Sequence, residues 1–238
     1  MKMDIRRIGC KSILNKTALP ADYAVNPYLG CLHGCVYCYA RYMLKFASKP
    51  GRWGEFVEVK ENAVEVIAGE LKRKKTGRVY LSSVTDAYQP VEEKTGLTRK
   101  LLKLLVALKF PVTVQTKSAL VLRDADILAR AGNSEAGFSI TTLDDEAGRI
   151  FEPRASLPSE RIKALEELKN HGIKTFCMIA PVLPGITDVS AIRRRLKGIS
   201  DYFIEDDLNI KCGNMPAIES AVKKHFPELL DRFRERKR

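Results

Sequence analysis

The sequence has no long apolar run and no segment that would divide it. None of its hydrophobic stretches approaches the roughly 20 residues that a membrane-spanning helix needs. The first residues, MKMDIRRIGCKSILNK, have no apolar core of signal-peptide length. A Ser/Gly/Pro-rich linker, an internal repeat and a low-complexity tract are also missing. We therefore predict a cytoplasmic chain that makes no use of a membrane and whose 238 residues form a single domain.

Histidine is scarce, which removes one class of site. The 3 histidines, His33, His171 and His225, are dispersed along the chain. Their spacing suggests neither a His-based metal site nor a general-base arrangement. We assign them no catalytic role, so a candidate centre has to come from other residues.

Three of the 6 cysteines are grouped in the segment NPYLGCLHGCVYCYARY. Cys31, Cys35 and Cys38 are separated by three and then two residues, and no fourth cysteine lies nearby. A cubane iron–sulfur cluster offers four irons to protein thiolates, so a loop with three thiolates leaves one iron open to another ligand. Catalytic zinc sites keep an open position in the same way. This spacing therefore indicates chemistry at an open iron.

The residues alone leave other roles for the cysteines open. Structural zinc usually takes paired Cys or His groups, and only His33 is close enough in sequence to be a fourth ligand. Disulfides need an oxidising compartment, which the predicted location does not offer. Buried free thiols are a further alternative.

The C-x3-C-x2-C spacing, with Tyr37 just before the last cysteine, resembles the signature of the radical S-adenosylmethionine (SAM) superfamily. From about residue 20 to residue 210 the chain is similar to the branch related to spore photoproduct lyase. The resemblance rests on the motifs NPY, YAR, SSVTDAYQPVE, QTKSALVLRD, SITTLDDE, FEPRASLPSERIKALEELKNHGI and APVLPGITD.

The resemblance implies a reaction and its cofactors. The three cysteine thiolates would bind a 4Fe–4S cluster, and the open iron would chelate the amino and carboxylate groups of SAM. Reductive cleavage of SAM would then give a 5'-deoxyadenosyl radical, which abstracts a hydrogen atom from a substrate. The chain has no further C-x2-C motif, so an external ferredoxin or flavodoxin is the expected electron donor.

Short β-branched runs alternate with amphipathic segments of helical spacing along the chain. Six such units predict a parallel sheet with right-handed crossovers, which we expect to curve into a partial (β/α)6 TIM-type barrel; the resemblance implies the same α/β architecture. We predict an N-terminal extension over 1–22, a barrel core over 23–210 and a helical, basic C-terminal segment over 211–238. The predicted strands cover 23–26, 78–84, 112–116, 137–142, 173–180 and 201–204, and the predicted helices cover 61–75, 97–110, 119–131, 159–170 and 189–197.

Parallel barrels carry their chemistry in the loops after the carboxyl ends of the strands, and polar residues follow the predicted strands repeatedly. Lys117 follows the third strand and resembles a lysine of the photoproduct-lyase branch that binds the SAM carboxylate. The compact charge of a lysine suits this role. Tyr37 resembles the aromatic residue beside the adenine. Tyr39 follows on the same loop, near the expected substrate entrance, and is a candidate catalytic residue. Simple packing is the alternative for both tyrosines.

Four more polar residues are candidate cofactor contacts. The Thr85 hydroxyl would bind the amino or carboxylate group of SAM, and Asp86 would orient neighbouring donors. Ser139 and Thr141 alternate onto one face of the fourth predicted strand, where the family contacts the ribose or the methionine end. Hydroxyls that bond only within the protein are the alternative.

One departure from the family affects the predicted reaction. Ser83 stands where the photoproduct lyases carry the cysteine that returns a hydrogen atom to the product radical. A serine O–H bond is too strong for that step, so photoproduct repair cannot be carried over. Cys212 is a candidate replacement thiol, with a buried structural thiol as the alternative. Arg154 either contacts an anionic substrate or anchors a loop.

Basic residues outnumber acidic ones, with 41 Lys and Arg against 29 Asp and Glu, a net charge of +12. Nucleic acid is therefore a candidate partner, although no basic and aromatic stacking module is evident in the sequence. A peptide or a small-molecule substrate stays open. The alternative function is a non-catalytic iron–sulfur or nucleic-acid-binding protein on the same barrel. Lys117 and Thr85 favour the enzyme, because a binding protein needs no SAM clamp.

Overall fold

The computed structural model describes residues 3–235, which form ten strands and nine α-helices. The strands are β1 (Asp4–Ile8), β2 (Leu14–Lys16), β3 (Tyr23–Val25), β4 (Tyr28–Leu29), β5 (Phe56–Lys60), β6 (Val79–Leu81), β7 (Val112–Thr116), β8 (Glu135–Ser139), β9 (Lys174–Val182) and β10 (Tyr202–Asp207).

The α-helices lie mostly between the parallel strands, and three 3-10 helices accompany them in the described residues. The α-helices are α1 (Ala63–Leu71), α2 (Glu92–Thr95), α3 (Leu97–Ala107), α4 (Ala125–Leu128), α5 (Asp145–Phe151), α6 (Pro158–Asn170), α7 (Val189–Arg195), α8 (Met215–His225) and α9 (Leu230–Glu235). The 3-10 helices are Tyr39–Phe46, Ala119–Asp124 and Pro227–Leu229. Among residues 3–235, no helix is both long enough and apolar enough to cross a membrane.

The main sheet has the strand order β10-β9-β8-β7-β6-β3-β2. Neighbouring strands from β3 to β10 are all parallel, and β2 pairs antiparallel with β3. Since the order ends at two edges, the sheet is open, and its six parallel strands form a partial barrel. The predicted α/β fold with a partial (β/α)6 barrel is confirmed.

The predicted N-terminal extension, residues 1–22, belongs to the sheets. Its strand β2 is the edge of the main sheet, and β1 pairs with β5 in a second sheet of order β1-β5-β4. The prediction missed these strands, because β2 and β4 are too short to show alternation and a second sheet needs partners that are distant in sequence. Residues 1 and 2 of the extension and residues 236–238 of the C-terminal segment lie outside the described residues.

Further segments differ from the prediction, since the helix predicted over 61–75 ends at Leu71 and the strand predicted over 78–84 ends at Leu81. The helix predicted over 119–131 is a 3-10 helix followed by the four-residue α4, because the side chain of Ser118 accepts a hydrogen bond from the backbone of Leu120 and starts a tight turn. The strand predicted over 137–142 ends at Ser139. The unpredicted α5 follows it, and the Asp144 side chain caps its first turn.

The two faces of the parallel strands have different surroundings. Val79, Val114 and Phe138 belong to the fully buried core that packs beneath the helices. Successive side chains of a strand point to opposite faces, so the alternate residues point into the barrel. These include Tyr80 and Gln115, which line a cavity described below. The alternation therefore supplies an apolar outer layer and a polar interior.

Gly137 in β8 allows an aromatic pair to close the barrel interior. The rings of Phe176 in β9 and Tyr202 in β10 stack with their centroids 5.4 Å apart. A Cβ atom on Gly137 would lie 2.2 Å from the carbonyl oxygen of Phe176 and 2.5 Å from its ring. Only a glycine therefore fits beside this pair.

We expect Gly137→Ala to destabilise the protein by about 1–3 kcal/mol, the usual cost of forcing extra atoms into a packed core. Gly69→Ala is the matched control, because a Cβ there meets nothing within 4 Å in the interior of α1. It should stabilise the protein by about 0.5–1 kcal/mol. Urea denaturation of both variants measures the difference, and equal stabilities would contradict the packing described for Gly137.

Candidate functional site

The three grouped cysteines lie on the loop that follows β4. Cys31 and Cys35 are buried, Cys38 is half-buried, and all three are free thiols. Burial raises the pKa of Cys35 well above its ordinary value and raises the pKa of Cys38 to about 12. Burial alone therefore favours the neutral thiols. A metal charge beside them would reverse this preference and favour the thiolates.

The cysteine loop is held through its backbone. Arg154 donates from Nε to the carbonyl of Leu32 and from its terminal nitrogen to the carbonyl of Gly54. Gly34 has a φ of 65°, and a Cβ on it would lie 2.5 Å from the Arg154 guanidinium. Of the two interpretations of Arg154, its contacts therefore favour the loop anchor.

Asp86 is enclosed by donors from two other parts of the chain. Its carboxylate lies 3.4 Å from Nδ1 of His33 and accepts hydrogen bonds from the Thr116 hydroxyl at 2.7 Å and from the backbone of Lys117 at 2.8 Å. Burial would raise its pKa, but the His33 charge and these bonds lower it to about 2. Asp86 thus links the cysteine loop to the ends of β6 and β7, and its predicted role of orienting neighbouring donors stays a prediction.

Tyr37 stands on a buried polar network between the cysteines and the barrel. Its hydroxyl donates to the carboxylate of Glu152, and the Thr141 hydroxyl lies 3.2 Å away. Glu152 in turn binds Arg161 of α6, a side chain only 1% exposed. Arg161 also donates to the backbone carbonyl of Ser139 at 2.6 Å. Burial would raise the pKa of Glu152, but the charges of Arg161 and Lys117 hold that pKa below its ordinary value.

A cavity of about 380 Å³ opens beside the loop, at the carboxyl ends of the parallel strands. Its size is typical of a small-molecule site. Its wall includes six of the residues discussed above, Cys35, Tyr37, Cys38, Tyr39, Lys117 and Ser139. Other residues of the wall are Ser82, Ser83, Gln115, Met178, Ala180 and Pro181. A smaller adjoining cavity of about 100 Å³ touches all three cysteines.

The donor set fits an iron–sulfur cluster. Three thiols converge on one cavity, and thiolates are the usual ligands of such clusters. Within residues 3–235, no three His, Cys, Asp or Glu side chains are close enough to bind a single metal ion, but a cubane cluster needs no such group, because each thiolate binds a different iron. Lys117 adds positive charge at the same wall, with Nζ 5.8 Å from the ring centroid of Tyr37.

The other candidate contacts have different positions. Thr85 lines the smaller cavity, but its hydroxyl donates to the carbonyl of Gly30 at 2.6 Å. Ser139 lines both cavities and accepts a bond from Gln115 at 2.9 Å. Thr141 lies under Tyr37 and is not part of either cavity wall. Of these three residues, Ser139 has the best access to a bound cofactor.

The two catalytic candidates are also separated. Tyr39 lies on the cavity wall, and its hydroxyl donates to the carbonyl of Ser83. Cys212 is half-buried, with Sγ 3.9 Å from the carbonyl oxygen of Cys38. It does not line the larger cavity. Its position therefore offers less access to a substrate than that of Tyr39.

Sequence reasoning missed Arg161 and Ser82. Arg161 shares an inward helix face with Leu165 and Leu168, so a charged residue at an apolar position was the available signal. Ser82 lines both cavities, and its hydroxyl, in a residue 7% exposed, has no hydrogen-bond partner. No sequence signal distinguishes Ser82 from Ser83 in this respect, because the alternation of the strand ends with β6.

We expect Arg161→Met to lower the free energy of unfolding by about 3–5 kcal/mol, because it leaves the buried Glu152 charge without its partner. The double variant Arg161→Met/Glu152→Gln should recover part of this loss, since no charge then stays buried. Urea denaturation of the metal-free proteins gives the values. A single variant within about 1 kcal/mol of the wild type would contradict this role.

Residues 25–193 match the radical SAM superfamily. An uncharacterized protein of Methanocaldococcus jannaschii is 35% identical over 228 residues, which cover 95% of this chain and 85% of that protein. A radical SAM Nalpha-GlyT isomerase of a Pseudomonas phage is 28% identical over 215 residues, which cover 87% of this chain and 44% of the phage protein.

Solved structures share the fold. Spore photoproduct lyase with bound AdoMet and dinucleoside spore photoproduct has a TM-score of 0.69 at 18% identity, over 92% of this chain and 66% of the lyase. SuiB of Streptococcus suis bound to S-adenosylmethionine has a TM-score of 0.56 at 14% identity, over 88% of this chain and 47% of SuiB. This chain therefore spans less than two thirds of the phage isomerase, the lyase and SuiB. Since the family match covers the greater part of its length, this protein belongs to the radical SAM superfamily.

Proposed function

We propose that this protein cleaves SAM reductively with a 4Fe–4S cluster bound by Cys31, Cys35 and Cys38, and that the reaction removes a hydrogen atom from a substrate. The observation that carries the proposal is the shared cavity wall, where Cys35 and Cys38 meet Lys117. When bound, the cluster and SAM together supply a 5'-deoxyadenosyl radical. An external ferredoxin or flavodoxin provides the electron.

Residues of the cavity have separate tasks in this proposal. Lys117 binds the SAM carboxylate, because its charge faces the space beside the cysteines. The ring of Tyr37 packs against the cofactor while Glu152 holds its hydroxyl. Ser82 offers an unpartnered hydroxyl to whatever occupies the cavity. The apolar Met178 and Pro181 exclude water from the opposite wall.

The arrangement favours an enzyme over a binding protein. A protein that only binds a cluster needs no cavity of about 380 Å³ against its cysteines, nor a lysine beside them. We do not propose photoproduct repair, because Ser83 stands in the place of the hydrogen-donor cysteine and its hydroxyl is bonded to Asn26 at 3.0 Å. The dinucleoside ligand of the structurally similar lyase supports a nucleic-acid component in the substrate.

Anaerobic reconstitution with iron and sulfide, followed by dithionite reduction, tests the proposal. We expect chromatography to detect 5'-deoxyadenosine formed from SAM, and we expect none from a variant with Cys31, Cys35 and Cys38 all replaced by alanine. If the wild-type protein loads a cluster but neither binds nor cleaves SAM, the proposed enzymatic function is wrong and a cluster-binding protein is the function that stays open.

Lys117→Ala should weaken SAM binding at least about tenfold, because a hydrogen bond to a charged group contributes about 1.5–3 kcal/mol. Equilibrium dialysis of the reconstituted protein measures the affinity, and iron content is determined on the same samples. Lys163→Ala, at an exposed position of α6, is the control for loss of one positive charge. Unchanged SAM affinity with full cluster loading would exclude Lys117 as the carboxylate clamp.

A further inference from the structure

The 3-10 helix Tyr39–Phe46 leaves the cysteine loop at the edge of the larger cavity. Its inner side packs through Ala40 and Leu44 beside Trp53. Three aromatic residues of this helix, Tyr39, Tyr42 and Phe46, are 47%, 44% and 58% exposed. Single exposed aromatic residues are ordinary, but three on one short helix beside a cavity form a patch that is typical of a binding surface.

The charge of this region has one sign. Residues 39–54 contain four basic residues and no Asp or Glu. Lys45, Lys49 and Arg52 among them are exposed, and Nζ of Lys45 lies 5.0 Å from the ring centroid of Phe46. We call Tyr39, Tyr42, Lys45, Phe46, Lys49 and Arg52 the aromatic–basic face.

This face is held in place by the second sheet. Arg6 of β1 donates hydrogen bonds to the carbonyls of Lys49 at 2.8 Å and Pro50 at 3.0 Å. The buried carboxylate of Glu58 in β5 accepts a bond from the backbone of Ser48 at 2.7 Å. A surface fixed before its ligand arrives loses less entropy on binding, so these contacts favour a binding role.

We propose that the aromatic–basic face binds single-stranded nucleic acid and leads one nucleotide into the larger cavity. Bases stack on aromatic rings whatever their sequence, while basic side chains follow the phosphates. Tyr42 and Phe46 provide the rings, and Lys45, Lys49 and Arg52 provide the charges. Tyr39 joins the face to the cavity, because it belongs to both. The binding of nucleic acid to this face does not require the proposed function. Only the statement that the bound nucleotide is the substrate rests on it.

The cavity wall is acidic where β10 ends. Asp206 and Asp207 lie on the cavity wall at the end of β10, and both are exposed. The charge of Asp206 disfavours a phosphate inside the cavity, so the phosphates bind outside it, at Lys45, Lys49 and Arg52. The lysines would also attract an acidic electron-donor protein. The exposed rings favour nucleic acid instead, because bases can stack on them while the phosphates bind the lysines.

Fluorescence anisotropy with a labelled single-stranded oligonucleotide of about 15 nucleotides tests the proposal on the full chain. Tyr42→Ala/Phe46→Ala should weaken binding at least about tenfold, with little change in the salt dependence. Lys45→Glu/Lys49→Glu should weaken binding and lower the slope of log K against log salt by about 1.4 or more, because two phosphate contacts are lost.

The controls match these changes elsewhere on the surface. Lys100→Glu/Lys163→Glu alters the net charge equally, on the exposed sides of α3 and α6. Leu108→Ala removes an exposed apolar side chain. Both should bind the oligonucleotide within about twofold of the wild type. Equal effects of the two lysine pairs, or unchanged binding in the Tyr42/Phe46 variant, would overturn the proposal.

Two reactions separate this inference from the function on which it rests. Dithionite-driven 5'-deoxyadenosine formation without oligonucleotide should be unchanged in the Tyr42/Phe46 and Lys45/Lys49 variants. If the wild type forms none, the proposed function fails while oligonucleotide binding still stands. If the Lys45/Lys49 variant loses only flavodoxin-driven turnover and keeps oligonucleotide affinity, the face binds the electron donor, and the nucleic-acid proposal is wrong.

Discussion

The buried ion pair between Arg161 and Glu152 is the contact on which the site depends. A buried charge is costly unless it is paired and fully hydrogen-bonded, and here Glu152 also accepts the Tyr37 hydroxyl while Arg161 binds backbone carbonyls of Ser139 and Ser156. The pair thereby joins α6, the end of β8 and the cysteine loop. With the link between His33 and Asp86, it fixes the loop relative to the ends of the strands.

The barrel supplies the space above this support. Alternation along the parallel strands turns aliphatic residues toward the helices, while polar side chains and a few large ones such as Phe176 and Met178 point inside. Tyr80, Gln115 and Ser139 form a hydrogen-bonded row across three neighbouring strands, and the cavity opens above them. An open sheet leaves one side of this cavity to loops, which explains how members of a shared fold reach different substrates.

The comparisons assign the superfamily of this protein but not its substrate. The superfamily match accounts for the three cysteines and the barrel. Ser83, Tyr39 and the acidic pair at the end of β10 line the cavity beside the cysteines. The superfamily match does not assign a role to these residues.

The sequence by itself determined the cysteine spacing and the count of βα units, because both are read from residues that are close along the chain. The six predicted strands are the six parallel strands of the sheet. Only the tertiary structure decided that the hydroxyls of Thr85 and Thr141 form hydrogen bonds within the protein. It also decided that Arg161 is buried and that β1 pairs with β5. The exposure of Tyr42 and Phe46 was decided in the same way. Burial and hydrogen-bond partners depend on residues that are distant in sequence, and no local pattern contains them.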